Sequence, residues 1–83
     1  MTPEEGKAIY DAEVSRLAKK FGWRLPIEKG RRSEVDYHVT RGLSLVWHFG
    51  PDDVAAALMH GSEKAADRGI KYVNRTIIAA CSK

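Results

Sequence analysis

Eighty-three residues, 43% of them hydrophobic and 30% charged, make one small globular domain: too apolar for a disordered tail and too short for a deep core. The single cysteine, Cys81, excludes an internal disulfide framework. No apolar run approaches the roughly 20 residues of a membrane span, and the start MTPEEGK is unlike a signal peptide, so a cytoplasmic location is expected.

The first element is a helix. Thr2 supplies a capping hydroxyl, Pro3 suits the first turn, and Glu4 and Glu5 favour the positive end of the helix dipole. Tyr10, Val14, Leu17 and Phe21 recur at helical spacing, with Ile9 and Ala18 beside them. Lys19 and Lys20 lie at the carbonyl end, and Gly22 suits the C-cap. Trp23 and Leu25 are expected to fold back over that end. The segment Pro26–Arg32 then reads as a basic connection.

Residues 33–49 fit two templates. As a helix, Ser33 caps it and Val35, Val39, Gly42, Val46 and Phe49 share one face. As a hairpin, Val35, Tyr37 and Val39 alternate, as do Leu43, Leu45 and Trp47, around Thr40-Arg41-Gly42. Glycine inside a helix costs about 1 kcal/mol, but one hairpin among three helices needs a partner surface of its own. The helix is preferred.

From Gly50 to Cys81 the pattern predicts two helices. Pro51, Asp52 and Asp53 start the first, Val54, Ala57, Leu58, Gly61 and Ala65 form its face, and Asp67-Arg68-Gly69 stops it. Ile70, Val73, Ile77 and Ala80 carry the second, with Tyr72 beside them. The expected fold is therefore all-α, a single domain over 1–83 built as a bundle of about four helices.

The charge is distributed unevenly along these elements. Residues 19–32 carry Lys19, Lys20, Arg24, Lys29, Arg31 and Arg32 against Glu28 alone, and residues 68–83 carry Arg68, Lys71, Arg75 and Lys83 with no acid. The stretches before and between them are acidic on balance. Folding that joins the two basic segments makes a patch for phosphates or for an acidic protein face. The alternative is a solvated surface that keeps a small domain dispersed.

Catalytic and metal signatures are absent. His38, His48 and His60 are ten and twelve residues apart, which fits no zinc pattern, and each is expected at the surface or its boundary. Gly42-Leu43-Ser44-Leu45 lacks the second glycine of a nucleophile elbow, and no phosphate-binding G-x-x-x-x-G-K occurs. The chain is expected to be no enzyme and to need no cofactor or small-molecule substrate. Trp23 and Trp47 sit in apolar contexts that favour core packing, although Lys19, Lys20 and Arg24 around Trp23 also suit base stacking. Residues 50–81, with Lys71, Asn74 and Arg75 on the second helix, share the outline of a helix-turn-helix, as many helical hairpins do.

The run Gly69-Ile70-Lys71-Tyr72-Val73-Asn74-Arg75-Thr76-Ile77-Ile78 resembles the end of the C-terminal domain of DnaD/DnaB-type replication-initiation proteins and their phage relatives. Tyr72, Val73, Asn74, Arg75 and Ile77 follow the family's order, and Val54, Ala57 and Ala65 fit its preceding helix; Thr76 and Ala80 depart from its aliphatic and its tryptophan. The resemblance implies a replication or phage accessory role with DNA as partner. On this reading Lys19, Lys20, Arg24, Lys29, Arg31, Arg32, Lys71 and Arg75 contact phosphate, and Tyr72 or Trp23 adjoins bases. The competing expectation is a protein-interaction module, such as an inhibitor docking on a host complex. Self-association is expected under either reading, since it buries a further apolar face.

Overall fold

The computed structural model describes residues 1–81, so Lys83 of the second basic segment lies outside the described residues. Helix α1 spans Pro3–Phe21, a 3₁₀ turn covers Lys29–Arg31, and α2 (Arg32–Leu45), α3 (Pro51–Gly61), α4 (Glu63–Arg68) and α5 (Ile70–Cys81) follow. The fold is all-α among the described residues, and none of their helices is long and apolar enough to cross a membrane.

The sequence signals act locally as chemistry requires. Thr2 and Glu5 close a capping box on α1, and Gly22 ends that helix in the left-handed conformation at φ 72°. Residues 33–45 are helical, which resolves the helix-or-hairpin alternative. The helix stops at Leu45, short of Phe49. The backbone N–H groups of Val46 and Trp47 bond Gly42 and that of Phe49 bonds Leu43, and the chain turns away at His48, where φ is 58°. Val46 is therefore exposed instead of sharing the face of Val35 and Val39.

The expected single helix over 51–68 is two helices. Ser62 divides it, and its position explains the break. Its N–H bonds Leu58 O to finish α3, and its hydroxyl accepts from the Ala65 N–H to start α4.

The core is thin and aliphatic: Leu17, Val35, Val39, Leu43, Val54, Leu58 and Val73 are buried, with Ala57 and Ala65 between them. Besides Val46, two further residues expected on helix faces stand outside it, Phe21 at 48% and Ile70 at 55% exposure, while Thr76 is buried with its hydroxyl on the Tyr72 carbonyl. Trp47 is also half-exposed. Its indole N–H donates to the buried Glu13 carboxylate, to which Arg16 also donates two bonds, at 2.6 and 2.8 Å.

Two glycines let the helices approach. A Cβ on Gly61 would lie 2.2 Å from the Tyr10 Cβ, so α1 and α3 meet backbone to side-chain root. A Cβ on Gly42 would lie 1.6 Å from Glu13 Oε2, which accounts for a glycine inside α2 despite its propensity cost.

One polar cluster ties every helix together. Asp36, fully buried on α2, accepts hydrogen bonds at 2.6 Å from the Tyr10 hydroxyl of α1, the Ser62 hydroxyl at the α3–α4 junction and the Tyr72 hydroxyl of α5. Bonds this short between hydroxyls and a carboxylate are charge-assisted, roughly twice as strong as neutral ones. Replacing Asp36 with alanine strands three hydroxyl donors, two of them in the interior. Asp36→Ala is expected to cost about 3–5 kcal/mol, a large share of the roughly 4–12 kcal/mol available to a domain of this size. Urea denaturation followed by circular dichroism measures it; an unchanged midpoint contradicts a structural role for the cluster.

Candidate nucleic-acid interface

The groove with the strongest charge lies between α2, α4 and α5. Ser33 and Tyr37, one turn apart on α2, form one wall; Lys64 and Arg68, one turn apart on α4, form another; Lys71, Tyr72, Arg75, Thr76 and Ala79 of α5 complete it. Its volume is about 530 Å³. Four cations line it and no carboxylate does. Arg68, Lys71 and Arg75 form no ion pair among the described residues, and Lys64 bonds the Ser33 hydroxyl and lies 5.4 Å over the Tyr72 ring. Cations left unpaired in a concave surface raise the local positive potential.

Tyr72 connects this groove to the interior. Its ring faces the groove while its hydroxyl reaches Asp36, so the orientation of the ring is set by the buried cluster. Ser62 does the same for α4, because its bond to Asp36 fixes the end from which Lys64 and Arg68 project. At the far end of α5, the Arg41 guanidinium donates to the Ala80 carbonyl at 3.0 Å, holding that helix against α2.

Of the residues read from the sequence as phosphate or base contacts, Lys71, Tyr72 and Arg75 share this groove. Lys19 and Lys20 are exposed at the end of α1, with Lys20 5.5 Å above the Phe21 ring. Arg24 and Lys29 are exposed in the connection. Arg31 lies 5.8 Å over the Trp23 ring and pairs with Glu34 at 3.4 Å. Arg32 points elsewhere: its guanidinium lies 4.0 Å from Glu63 and 3.9 Å from Asp67, beside a second cavity of about 330 Å³ bordered by Tyr10, Leu25 and Ile27.

Sequence reasoning missed Lys64, Tyr37 and the whole Asp36 cluster. Two signals were present for the cluster. Asp36 precedes Val39 and Thr40 by three and four residues, which puts a carboxylate on the buried stripe, and Gly61-Ser62-Glu63 reads as a stop, a cap and an acid. Compared with protein-family models, with curated proteins and with solved structures, the chain has no match.

The two cluster tyrosines hold their protons tightly. Burial, then the bond to Asp36, pushes Tyr72 up to about 12; Tyr10 is raised further in the same direction, by burial and then by the Asp36 charge. A phenol in the unfolded chain ionises near pH ~10. The folded pKa exceeds the unfolded one, so this contribution to stability is complete below pH ~10 and is lost as pH rises through the folded values. Thermal midpoints are expected to fall from about pH 10 upward. In Tyr72→Phe the midpoint starts lower at neutral pH and falls less steeply; an identical alkaline profile in the variant contradicts the assignment.

Proposed function

We propose that the chain is a non-catalytic nucleic-acid-binding domain, of the replication-initiation or phage accessory kind that its C-terminal run resembles. The observation that carries this reading is the groove of Lys64, Arg68, Lys71 and Arg75, free of carboxylates and flanked by Tyr37 and Tyr72. Guanidinium and ammonium groups gathered in one groove suit the phosphates of a backbone, and the tyrosine rings offer flat apolar surfaces beside them. Neutralising phosphates releases condensed counterions, so affinity must fall steeply with salt. Anisotropy titrations of labelled DNA are expected to give a log–log salt slope that drops by about 1 for each of Lys71→Ala and Arg75→Ala. Absence of binding at low salt would remove the reading.

A protein contact is the second reading, favoured by a different surface. Leu45, Val46 and Trp47 follow one another at 58%, 58% and 49% exposure, with the Phe49 ring stacked on Trp47 at 6.4 Å. Covering such a run stabilises a domain with a thin core. A second copy of the chain is the simplest occupant, and light scattering coupled to gel filtration is expected to give a mass near twice 9.3 kDa. A monomer at every concentration excludes self-association through this run.

A further inference from the structure

We infer that the cavity beside Arg32 binds a free α-amino acid with a large apolar side chain, held as its zwitterion and not transformed. The cavity shares no lining residue with the basic groove, and its ligand is independent of the nucleic-acid reading. Its volume of about 330 Å³ lies at the lower end of the roughly 300–1,000 Å³ usual for small-molecule sites, which suits a ligand of metabolite size.

Arg32 is the anchor. Its Nε is shut off from solvent, and no hydrogen-bond partner reaches it. Glu63 and Asp67 approach the guanidinium only to 4.0 and 3.9 Å, beyond hydrogen-bond reach, and both are mostly solvated, at 90% and 73% side-chain exposure. A staple from α2 to α4 accounts for those two ion pairs and leaves the buried Nε unexplained. A guanidinium presents its Nε–H and an Nη–H side by side, a fork that matches the two oxygens of a carboxylate. A buried donor without a partner is destabilising, and a bound carboxylate removes that cost.

The other polar groups of the cavity decide which carboxylate it is. The hydroxyls of Tyr10 and Ser62 are committed to Asp36, and Asp11 is committed to Lys7 at 3.1 Å. Glu63 and Ser15 are left over. Two carboxylates about 4 Å from one guanidinium repel a ligand that brings only negative charge, a phosphate above all. An ammonium on the same ligand removes the repulsion by turning to Glu63 while the carboxylate turns to Arg32. An α-amino acid carries both groups on one carbon, and Arg32 and Glu63 stand correspondingly close. Val14, Leu25, Pro26 and Ile27 give the cavity an apolar wall. A side chain of phenylalanine size covers that wall, and covering it is favourable in proportion to the area removed from water.

Amide NMR of the full chain, titrated with L-phenylalanine, tests the site. Saturable shifts are expected at Ser15, Ile27, Arg32 and Glu63, and none at Lys71 or Arg75. L-Alanine is expected to bind about 10-fold more weakly or worse. Phenethylamine, which lacks the carboxylate, is expected to lose about 10- to 100-fold. Arg32→Lys keeps a positive charge beside Glu63 and Asp67 but removes the Nε donor, and is expected to weaken L-phenylalanine about 10-fold or more. If that variant fails to fold by circular dichroism, Glu63→Gln still decides, because the side chain it alters is solvated. Glu63→Gln is expected to weaken L-phenylalanine about 2- to 5-fold and to leave hydrocinnamate, which lacks the ammonium, unweakened. No saturable shift, shifts centred on the groove, phenethylamine as tight as L-phenylalanine, or an unaffected Arg32→Lys overturns the site. L-Alanine as tight as L-phenylalanine overturns the apolar side chain. An unaffected Glu63→Gln, or equal loss of L-phenylalanine and hydrocinnamate in it, overturns the zwitterion. DNA binding that persists in any of these cases leaves the groove standing.

Discussion

The Asp36 carboxylate is the constraint on which the rest of the structure depends. Burying a charge without a cationic partner is expensive, and here the offset comes from three hydroxyls at 2.6 Å, each on a different part of the chain. Apolar contacts in so thin a core are tolerant of small slips between helices. A carboxylate that must meet Tyr10, Ser62 and Tyr72 at once is not, because a shift of about an ångström breaks a charge-assisted bond. The cluster therefore selects one arrangement of α1, α2, α4 and α5 from the many that would bury the same valines.

That selection reaches the surface. Tyr72 presents its ring to the groove because its hydroxyl is committed inward, and Lys64 and Arg68 stand opposite Lys71 and Arg75 because Ser62 breaks the third helix where Asp36 requires it. An unbroken helix over 51–68 would carry Lys64 and Arg68 along the axis of α3. The glycines work in the same sense: Gly61 admits Tyr10 to the cluster, and Gly42 admits the Glu13 carboxylate that anchors Trp47.

The net positive charge acquires direction only through this packing. Arg32 is diverted to Glu63 and Asp67, and Arg31 divides itself between Glu34 and the Trp23 ring. Cations from α4 and α5 gather where no carboxylate reaches. A formal sum over the chain conceals this distribution of paired and unpaired charge.

Local signals determined much of the architecture. Thr2 with Glu5, Gly22, Pro51 and Gly69 mark helix ends through capping and backbone conformation, which depend only on near neighbours, and the spacing of Val35, Val39, Val54 and Val73 marks buried faces. The basic residues of α5 were legible for the same reason, being one turn apart on one helix. Tertiary structure alone decided the remainder. The partners of Asp36 lie 26 to 36 residues away, Trp47 reaches Glu13 across 34, and the walls of the groove come from three helices. Periodicity reports which side chains share a face; it carries no information on which faces meet. A buried carboxylate and its distant hydroxyls supply that information only when the chain has folded around them.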